Sequence, residues 1–507
     1  MLRSPKWWRA VPVAALALLV LLGARTVTDE SGTLPPPAPT VSWQIDPSTT
    51  PRAIEGYSSQ VSVAPGDTLA LHVSTTPAAR YRVELYRVGW YGGQGRTFLG
   101  CLPQGCATDE AGTPQPMGTP DPTTGELAES WPTTDTLQIP PDWKSGYYLA
   151  KLVLTSGLDA GHATAVPIVV RAAAGTAADI LLVESVNTWQ AYNDWGGLSL
   201  YTDPHAAVRV SFDRPYSPAD PKLTLDYALV RFLDRFGYDV SYTTDADVDA
   251  DPAQLKDFRL VVFPSHSEYW TEAMRDELEA ARAAGVNLAF LGGNTGYWQI
   301  RYGDATRRDL VEYRSASTDP FPDPRQKTVR WRDAPVLRPE CTLVGVQWQG
   351  GDESSDPGTH DYRVVTASLG DPWFAGTGFK QGDAVRGAVG YEWDAAAPEC
   401  NGKTPPETVL FHYEGRATPE PAGVYKSTFH STSADAVRYG AASGAVVFAA
   451  GSIDFTDALG GSADGSAVAP GVVDPAHPSD PRFQRFMRNV FDDLTKPRGQ
   501  ALAASPR

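Results

Sequence analysis

The sequence predicts an all-β domain followed by a three-layer α/β domain with a mostly parallel sheet. Up to about Arg171, short alternating runs rich in Val, Tyr and Thr are separated by Gly and Pro, a pattern typical of strands and turns. The composition changes at Ala172–Ala178, AAAGTAA, which indicates a linker. After it, apolar strands alternate with amphipathic helices, as in α/β folds. The length of 507 residues suits two or more domains.

The first 24 residues have the pattern of a signal peptide or an N-terminal membrane anchor. Arg3, Lys6 and Arg9 precede an apolar run, Ala10–Ala24, which is shorter than the roughly 20 residues of a membrane span. Cleavage would give a secreted protein, and retention would anchor it to the cytoplasmic membrane. In both cases the sequence predicts an extracytoplasmic protein. Residues 25–41 form a Pro-rich linker.

The composition supports export and argues against one class of partner. Four cysteines agree with an oxidising compartment. We infer the pairs Cys101–Cys106 and Cys341–Cys400, one of three possible connectivities. A cysteine metal site is not favoured, because the spacings do not resemble paired CxxC ligands. Acidic residues outnumber basic ones by 60 to 43, giving a net charge of −17, which argues against a nucleic-acid partner.

We predict that residues 42–171 form a β-sandwich like the immunoglobulin fold. The segments SVAPGDTLALHV and IPPDWKSGYYLAKLVL each have the pattern of strand, turn and strand. The glycine-rich segment Gly89–Gly95, GWYGGQG, lacks the strand–helix context and the Lys of a phosphate-binding loop. It therefore predicts a tight aromatic hairpin. This domain contains no evident catalytic cluster.

We predict that residues 178–497 form the α/β domain, with a β-rich insertion around residues 315–420. We predict that residues 498–507 form a disordered tail. The strands and helices of the α/β domain follow from apolar runs and from helical periodicity that ends at glycine. The predicted strands are Ile180–Val183, Val240–Thr243, Leu260–Phe263, Val286–Leu291 and Ala445–Ala450, and the predicted helices are Leu223–Phe236, Glu272–Ala284 and Arg482–Leu494.

Polar side chains follow two neighbouring strands of this predicted sheet. His266 and Glu268 follow one strand, and Asn294 follows the next. Ligands of open α/β sheets bind beyond the carboxyl ends of the strands, and residues i and i+2 of an extended segment point the same way. We therefore predict a metal or proton-transfer site here, the alternative being a hydrogen-bonded pair at a strand end. The aromatic segment Asn187–Tyr201 either packs over the sheet or directs its tyrosines toward Glu268.

Two further segments have alternative interpretations. Glu392, in GAVGYEWD, is either a buried acid poised as a general base or a salt-bridged surface residue, and composition alone favours the second. Asp213–Tyr216, DRPY, predicts a turn held by an ion pair. The GxSxG motif is absent and the α/β core has no Cys, so the usual Ser and Cys hydrolase nucleophiles are not supported.

Eight motifs of the chain occur in the order seen in a known family. The sequence resembles the large (beta) subunit of N,N-dimethylformamidase from about Tyr81 to Leu494, and as a set the motifs are specific. They are YRVGWYGGQG, NTWQAYNDWGGLSLY, SFDRPY, FGYDVSYTTDADVD, HSEYW, GVNLAFLGGNTGYWQIR, VGYEWD and AAGSIDF.

The resemblance implies an α/β domain like that of class I glutamine amidotransferases, without their cysteine. It also implies a mononuclear ferric iron held by two tyrosines and one glutamate. The glutamate corresponds to Glu268 in HSEYW. Tyr192 in QAYN matches the first tyrosine and Tyr201 in LSLY the second, with Tyr216 as the alternative to Tyr201.

The resemblance further implies the roles of the other site residues. His266 and Asn294 match neighbouring active-site positions, and Glu392 corresponds to the catalytic glutamate. The expected activity is metal-dependent hydrolysis of amide-type C–N bonds in a small-molecule substrate. The amidase works with a small partner subunit, which this chain does not contain, and its relatives are not expected to carry an export segment. A homo-oligomer remains open.

A second hypothesis is non-enzymatic. An extracytoplasmic binding or surface protein that keeps this fold would use its sandwich and its aromatic segment to bind a polysaccharide or a partner protein. The metal content of the purified protein distinguishes the two hypotheses.

Overall fold

The computed structural model describes residues 45–501, except for 174, 177, 203, 218–224, 352–359, 391, 398–399, 401–405, 416–432 and 461–478. The predicted signal or anchor segment and the Pro-rich linker lie outside the described residues. Residues 41–507 belong to one compact unit. Among the described residues, no helix has both the length and the apolar character needed to cross a bilayer.

The first nine strands form two sheets. One is antiparallel with the order β1-β3-β7, and the other has the order β2-β9-β8-β4-β5, with β6 beside β4. Leu71, Val83 and Leu152 are fully buried in one apolar cluster that draws on both sheets. The immunoglobulin-like topology remains a prediction. The strands are β1 (Ile54–Ser58), β2 (Ser62–Val63), β3 (Thr68–Thr75), β4 (Arg80–Val88), β5 (Arg96–Leu102), β6 (Glu110–Ala111), β7 (Asp135–Gln138), β8 (Gly146–Leu154) and β9 (Ala163–Val170).

The following region alternates strands and helices. Its strands are β10 (Ile180–Glu184), β11 (Arg209–Ser211), β12 (Val240–Thr244), β13 (Leu260–Phe263), β14 (Tyr269–Thr271), β15 (Asn287–Phe290), β16 (Trp298–Tyr302), β17 (Asp309–Val311), β18 (Gln347–Gly351), β19 (His360–Val364), β20 (Ala384–Val389), β21 (Glu392–Ala395), β22 (Thr408–Glu414), β23 (Ser433–Gly440) and β24 (Val446–Ala449). Its helices are α1 (Val186–Tyr192), α2 (Tyr227–Phe236), α3 (Asp245–Ala250), α4 (Glu272–Ala283), α5 (Cys341–Val344) and α6 (Pro481–Leu494).

A nine-stranded sheet of order β12-β10-β13-β15-β24-β23-β22-β19-β20 is the centre of this region. The first five strands are parallel, and β13 is fully buried, as expected for a strand covered on both faces. The last four are antiparallel, whereas the sequence predicts a mostly parallel sheet. Strands β19, β20 and β22 come from the predicted insertion. They extend the sheet because β23 pairs with the otherwise open edge of β24.

Two smaller sheets carry segments that reach the carboxyl ends of the parallel strands. The four-stranded sheet has the order β11-β17-β16-β14, and its strand β14 begins directly after Glu268. The two-stranded sheet pairs β18 with β21, which begins at Glu392. Of the two glutamates predicted for the site, Glu268 therefore directly precedes a short strand and Glu392 begins one.

The sandwich sheets pack against the α/β region. The Trp195 indole donates a hydrogen bond of 2.8 Å to Glu55, and Ser62 donates one of 2.9 Å to Asp247 in α3. The GWYGGQG segment closes the β4–β5 hairpin, as predicted, and the backbone N–H of Trp90 donates to Asp234 of α2 at 2.7 Å. The start of the predicted disordered tail also packs, since Ala501 is buried.

The cysteines form the two inferred pairs. Cys101 is bonded to Cys106, with 5.1 Å between their Cα atoms, and Cys341 to Cys400, with 6.1 Å. Both separations lie in the range that a disulfide spans. The described chain has no free cysteine, so the predicted pairing is confirmed.

Candidate metal centre and active site

The candidate site lies beyond the carboxyl ends of β10, β13 and β15. Helix α1 follows β10 and ends at Tyr192, and the turn after β13 carries His266 and Glu268. The turn after β15 carries Asn294. Adjacent parallel strands end at the same edge of the sheet, which is why separate polar segments meet there.

Glu268 is the centre of the cluster. Each of its two carboxylate oxygens accepts a hydrogen bond from one phenol. The Tyr192 hydroxyl donates at 2.8 Å and the Tyr201 hydroxyl at 2.7 Å. The two phenol rings are stacked, with 4.2 Å between their centroids. Glu268 is 1% exposed, and Thr188 of α1 accepts its backbone N–H at 3.0 Å. The structure thus brings together the three residues that the family resemblance assigned as ligands.

The loop between the two tyrosines is held by a buried arginine. Arg214 donates to the carbonyl oxygens of Asn193 at 2.7 Å and Leu198 at 2.8 Å, and to that of Trp195 at 3.1 Å. The sequence predicted an ion pair within the DRPY turn. That prediction was wrong in its partner, because Asp213 pairs with Arg308 at 2.6 Å. A fully buried guanidinium requires several acceptors, and the carbonyls of a tight loop supply them.

A third phenol and an arginine lie behind Tyr201. The Tyr269 hydroxyl donates to the Tyr201 hydroxyl, and Arg314 Nη2 donates to the Tyr269 hydroxyl at 3.2 Å. The guanidinium carbon of Arg314 lies 4.3 Å from the centroid of the Tyr201 ring. Neither residue is among the site residues predicted from the sequence. Tyr269 directly follows Glu268 in the HSEYW motif, and this position could have identified it as a site residue. No local sequence feature marks Arg314 as part of the site.

His266 lies between the two glutamates. Its Nε2 atom is 3.4 Å from Glu268 Oε2 and 3.6 Å from Glu392 Oε2, and its Nδ1 atom is 3.2 Å from the Gly293 carbonyl oxygen. The His266 side chain is 1% exposed and the Glu392 side chain 17% exposed. Glu392 therefore faces the buried imidazole, which argues against the surface salt bridge that composition alone favoured.

The Gly292-Gly293-Asn294 turn is shaped by close backbone contacts. A Cβ at Gly292 would overlap the Ser265 carbonyl, and one at Gly293 would come within 2.6 Å of the Glu392 carbonyl oxygen. Asn294 has a φ of 51°, a left-handed conformation that asparagine tolerates better than most residues. The Asp394 carboxylate accepts the Asn294 backbone N–H at 2.8 Å. No donor within the described part of the chain reaches the buried Asn294 Oδ1.

The buried acids of the site have shifted pKa values. Burial, followed by the charge of Glu268, raises the pKa of the Tyr192 and Tyr201 phenols well above the ordinary value. Burial raises the pKa of Asp394 to about 7, although the hydrogen bonds from the Asn294 and Thr295 backbone oppose the rise. Without a cation, both phenols therefore keep their protons and donate hydrogen bonds to Glu268.

The donor set fits a hard, highly charged metal ion. Two phenol oxygens and one carboxylate would supply three anionic oxygens once both phenols lost their protons, and such ligands suit hard cations. The phenol protons now point at the carboxylate, where a shared cation would replace them. Among the described residues, no group of three or more His, Cys, Asp or Glu side chains is arranged to hold a metal ion.

The alternative ligand Tyr216 lies elsewhere. It lines a small cavity with Trp189 and Phe212, at the contact with the sandwich. Tyr201, rather than Tyr216, is therefore the second phenol beside Glu268.

The fold and the site define an α/β protein with a candidate active site of phenol, carboxylate and imidazole groups. A sequence model of the family described as N,N-dimethylformamidase beta subunit-like, C-terminal, matches residues 82–467. The chain belongs to this family, which confirms the resemblance seen in its motifs. A comparison with curated proteins finds no match.

Proposed function

We propose that the protein is an exported, metal-dependent hydrolase of amide-type C–N bonds, with a ferric ion held by Tyr192, Tyr201 and Glu268. The observation that carries this proposal is the contact of two partly buried phenols with the two oxygens of one carboxylate. Family membership supports the hydrolase class. Export is supported by the N-terminal charge and apolar run and by the two disulfides.

The bound ion would supply a Lewis acid for the substrate carbonyl and lower the pKa of a coordinated water. Glu392 is suited to take the proton of that water. Its carboxylate lies 3.6 Å from the buried imidazole, and its side chain is 17% exposed. A base placed in this way acts by accepting a proton only as the bond to carbon forms.

His266 and Asn294 would position the substrate and the water. His266 contacts both glutamates, and the Gly293 carbonyl holds its other ring nitrogen. Asn294 offers a buried amide whose oxygen no described residue engages, which suits a substrate N–H. Its amide N–H groups suit the developing oxyanion. We propose a small amide as the substrate class and include a small partner subunit in the proposal, because the family description names a beta subunit.

The test is the metal content of the purified protein produced with iron available. We expect about one iron per chain and a visible charge-transfer band from phenolate to iron. Glu268→Ala should lose the iron and remain folded by circular dichroism, because it removes one of three anionic ligands.

Glu340→Ala is the matched control, since Glu340 is equally buried but pairs with Arg332 at 2.7 Å. It should keep the iron and the band. A colourless wild-type protein with zinc or no metal would reject the proposed ligand set and would favour a binding or surface protein.

A further inference from the structure

Four groups form a hydrogen-bonded chain whose direction is determined by chemistry. An arginine only donates and an ionised carboxylate only accepts. Arg314 therefore donates to the Tyr269 hydroxyl, which donates to the Tyr201 hydroxyl, which in turn donates to Glu268. A phenol oxygen has one proton and two lone pairs. Tyr201 thus accepts from Tyr269 with one lone pair while its proton points at Glu268.

This arrangement would remain complete if a cation replaced the Tyr201 proton. Tyr201 and Glu268 would hold the cation, and the Tyr201 lone pair that accepts from Tyr269 would still be available for that hydrogen bond. Tyr269 is fully buried, so its hydroxyl has no competing bulk water. The hydrogen bond to the Tyr201 oxygen is therefore available in the metal-bound protein as well.

Arg314 acts on the ring as well as on the hydrogen-bonded chain. Its guanidinium carbon is 4.3 Å from the centroid of the Tyr201 ring and 5.0 Å from that of the Trp298 ring. Arg314 Nε donates to Glu312 at 2.9 Å, which fixes the side chain in place. A guanidinium at this distance from an electron-rich ring is attractive, and the attraction grows when the ring carries negative charge.

We propose that Tyr269 and Arg314 are positioning residues of the metal centre. They hold the Tyr201 oxygen in its ligand position and withdraw electron density from it. The inference rests on the proposed function and goes beyond it, because it assigns two residues that do not contact the ion. Tyr192 has a different environment, with His266 at 5.7 Å between ring centroids.

The experiment compares iron-loaded wild-type protein with Tyr269→Phe and Arg314→Gln. A hydrogen bond to a phenolate oxygen lowers the energy of its lone pairs, so its loss should move the charge-transfer band to longer wavelength. We also expect iron affinity, measured by chelator competition, to fall by roughly 10–100-fold, as is typical for groups that orient metal ligands. A merely structural role would lower stability without moving the band.

Arg301→Gln is the matched control. The guanidinium of Arg301 lies 4.3 Å from the Phe321 ring, pairs with Asp319 at 2.7 Å, and has the same 13% side-chain exposure as Arg314. It should leave the band unchanged. If Arg314→Gln does not fold, Tyr269→Phe, which removes a single oxygen atom, decides the question.

The outcomes separate this inference from the function on which it rests. A wild-type band that stays in place in both Tyr269→Phe and Arg314→Gln overturns the positioning role and leaves the iron site intact. A wild-type protein that binds no iron overturns the proposed function, and the positioning role with it.

Discussion

At the scale of single residues, the two glutamates of the site differ in their burial and in the groups that they contact. Glu268 is 1% exposed and accepts hydrogen bonds from two phenols, whereas the Glu392 side chain is 17% exposed and lies 3.6 Å from the His266 imidazole. The first environment suits a ligand and the second suits a base. Under the proposed function, the two carboxylates of the site would therefore have different roles because their surroundings differ.

Glu392→Gln should keep the iron and lose activity. The amide cannot accept the proton of the water, and removal of a positioned base typically lowers the rate by about 10²–10⁴-fold. The loss should appear in kcat more than in KM, because proton transfer occurs only in the transition state. The measurement is steady-state kinetics on a small amide that the wild-type protein hydrolyses.

Glu272→Gln is the control for this substitution. The Glu272 side chain is 19% exposed, close to the 17% of Glu392, but it pairs with Arg325. It should leave kcat unchanged. Loss of iron from Glu392→Gln would make Glu392 a ligand, and full activity would make it structural.

At the scale of elements, the loop after α1 brings the second phenol to the first. Tyr192 ends α1, and the chain must turn back over Asn193–Leu200 to place Tyr201 against it. Arg214 binds three carbonyl oxygens of this loop, and Trp195 ties it to Glu55 of the sandwich. The loop is therefore held from two sides.

Arg214→Met should destabilise the protein and loosen the metal site together. Each buried carbonyl left without its donor costs about 1–3 kcal/mol, so we expect a loss of about 3 kcal/mol or more in the free energy of unfolding. Iron occupancy should fall as well, although no ligand is changed. Chemical denaturation and metal analysis measure the two effects.

The neighbouring ion pair provides the comparison. Arg308→Met removes the pair with Asp213, whose side chain is 35% exposed and which contributes about 0–1 kcal/mol, and one hydrogen bond of 2.9 Å to the Ser58 carbonyl oxygen. We therefore expect a smaller loss of stability than for Arg214→Met, which removes three such hydrogen bonds. It should retain iron. If Arg308→Met lost more stability and iron than Arg214→Met, the DRPY ion pair rather than the carbonyl contacts would organise the loop.

At the scale of the whole molecule, the sandwich and the α/β region share one apolar cluster. Tyr147 and Leu149 of β8 pack in it with Leu182 of β10 and Leu229 of α2. One disulfide lies in each region, and neither bridges the two. Apolar packing and polar contacts, rather than a disulfide, therefore hold the two regions against each other.

The folded, unreduced protein should contain no reactive thiol. All four cysteines are paired within the described chain, so a thiol reagent should find none even after denaturation. Reduction before denaturation should release four. Detection of four thiols in the unreduced, denatured protein would contradict both the pairing and the proposed export.

Much of the fold was predictable because it depends on local patterns. The apolar run Leu260–Phe263 gave a buried strand with the same ends, and the helix predicted from Glu272 ends one residue earlier than expected. The antiparallel half of the central sheet was not predicted. The sequences of strands such as β19 and β22 contain no local pattern that indicates which strand each one pairs with.

The sequence left the cysteine pairing as one of three possible connectivities. By itself it determined the main strands and helices, the family and the shared direction of His266 and Glu268. These features depend on periodicity, spacing and motif order, which are written along the chain. Only the tertiary structure decided that Tyr201 rather than Tyr216 meets Glu268, that Tyr269 and Arg314 lie behind it, and that Asp394 holds the Asn294 turn. Most of these contacts join segments far apart in sequence. The folding of the sheet brings these segments together at one edge, and no local sequence pattern indicates which segments will be in contact.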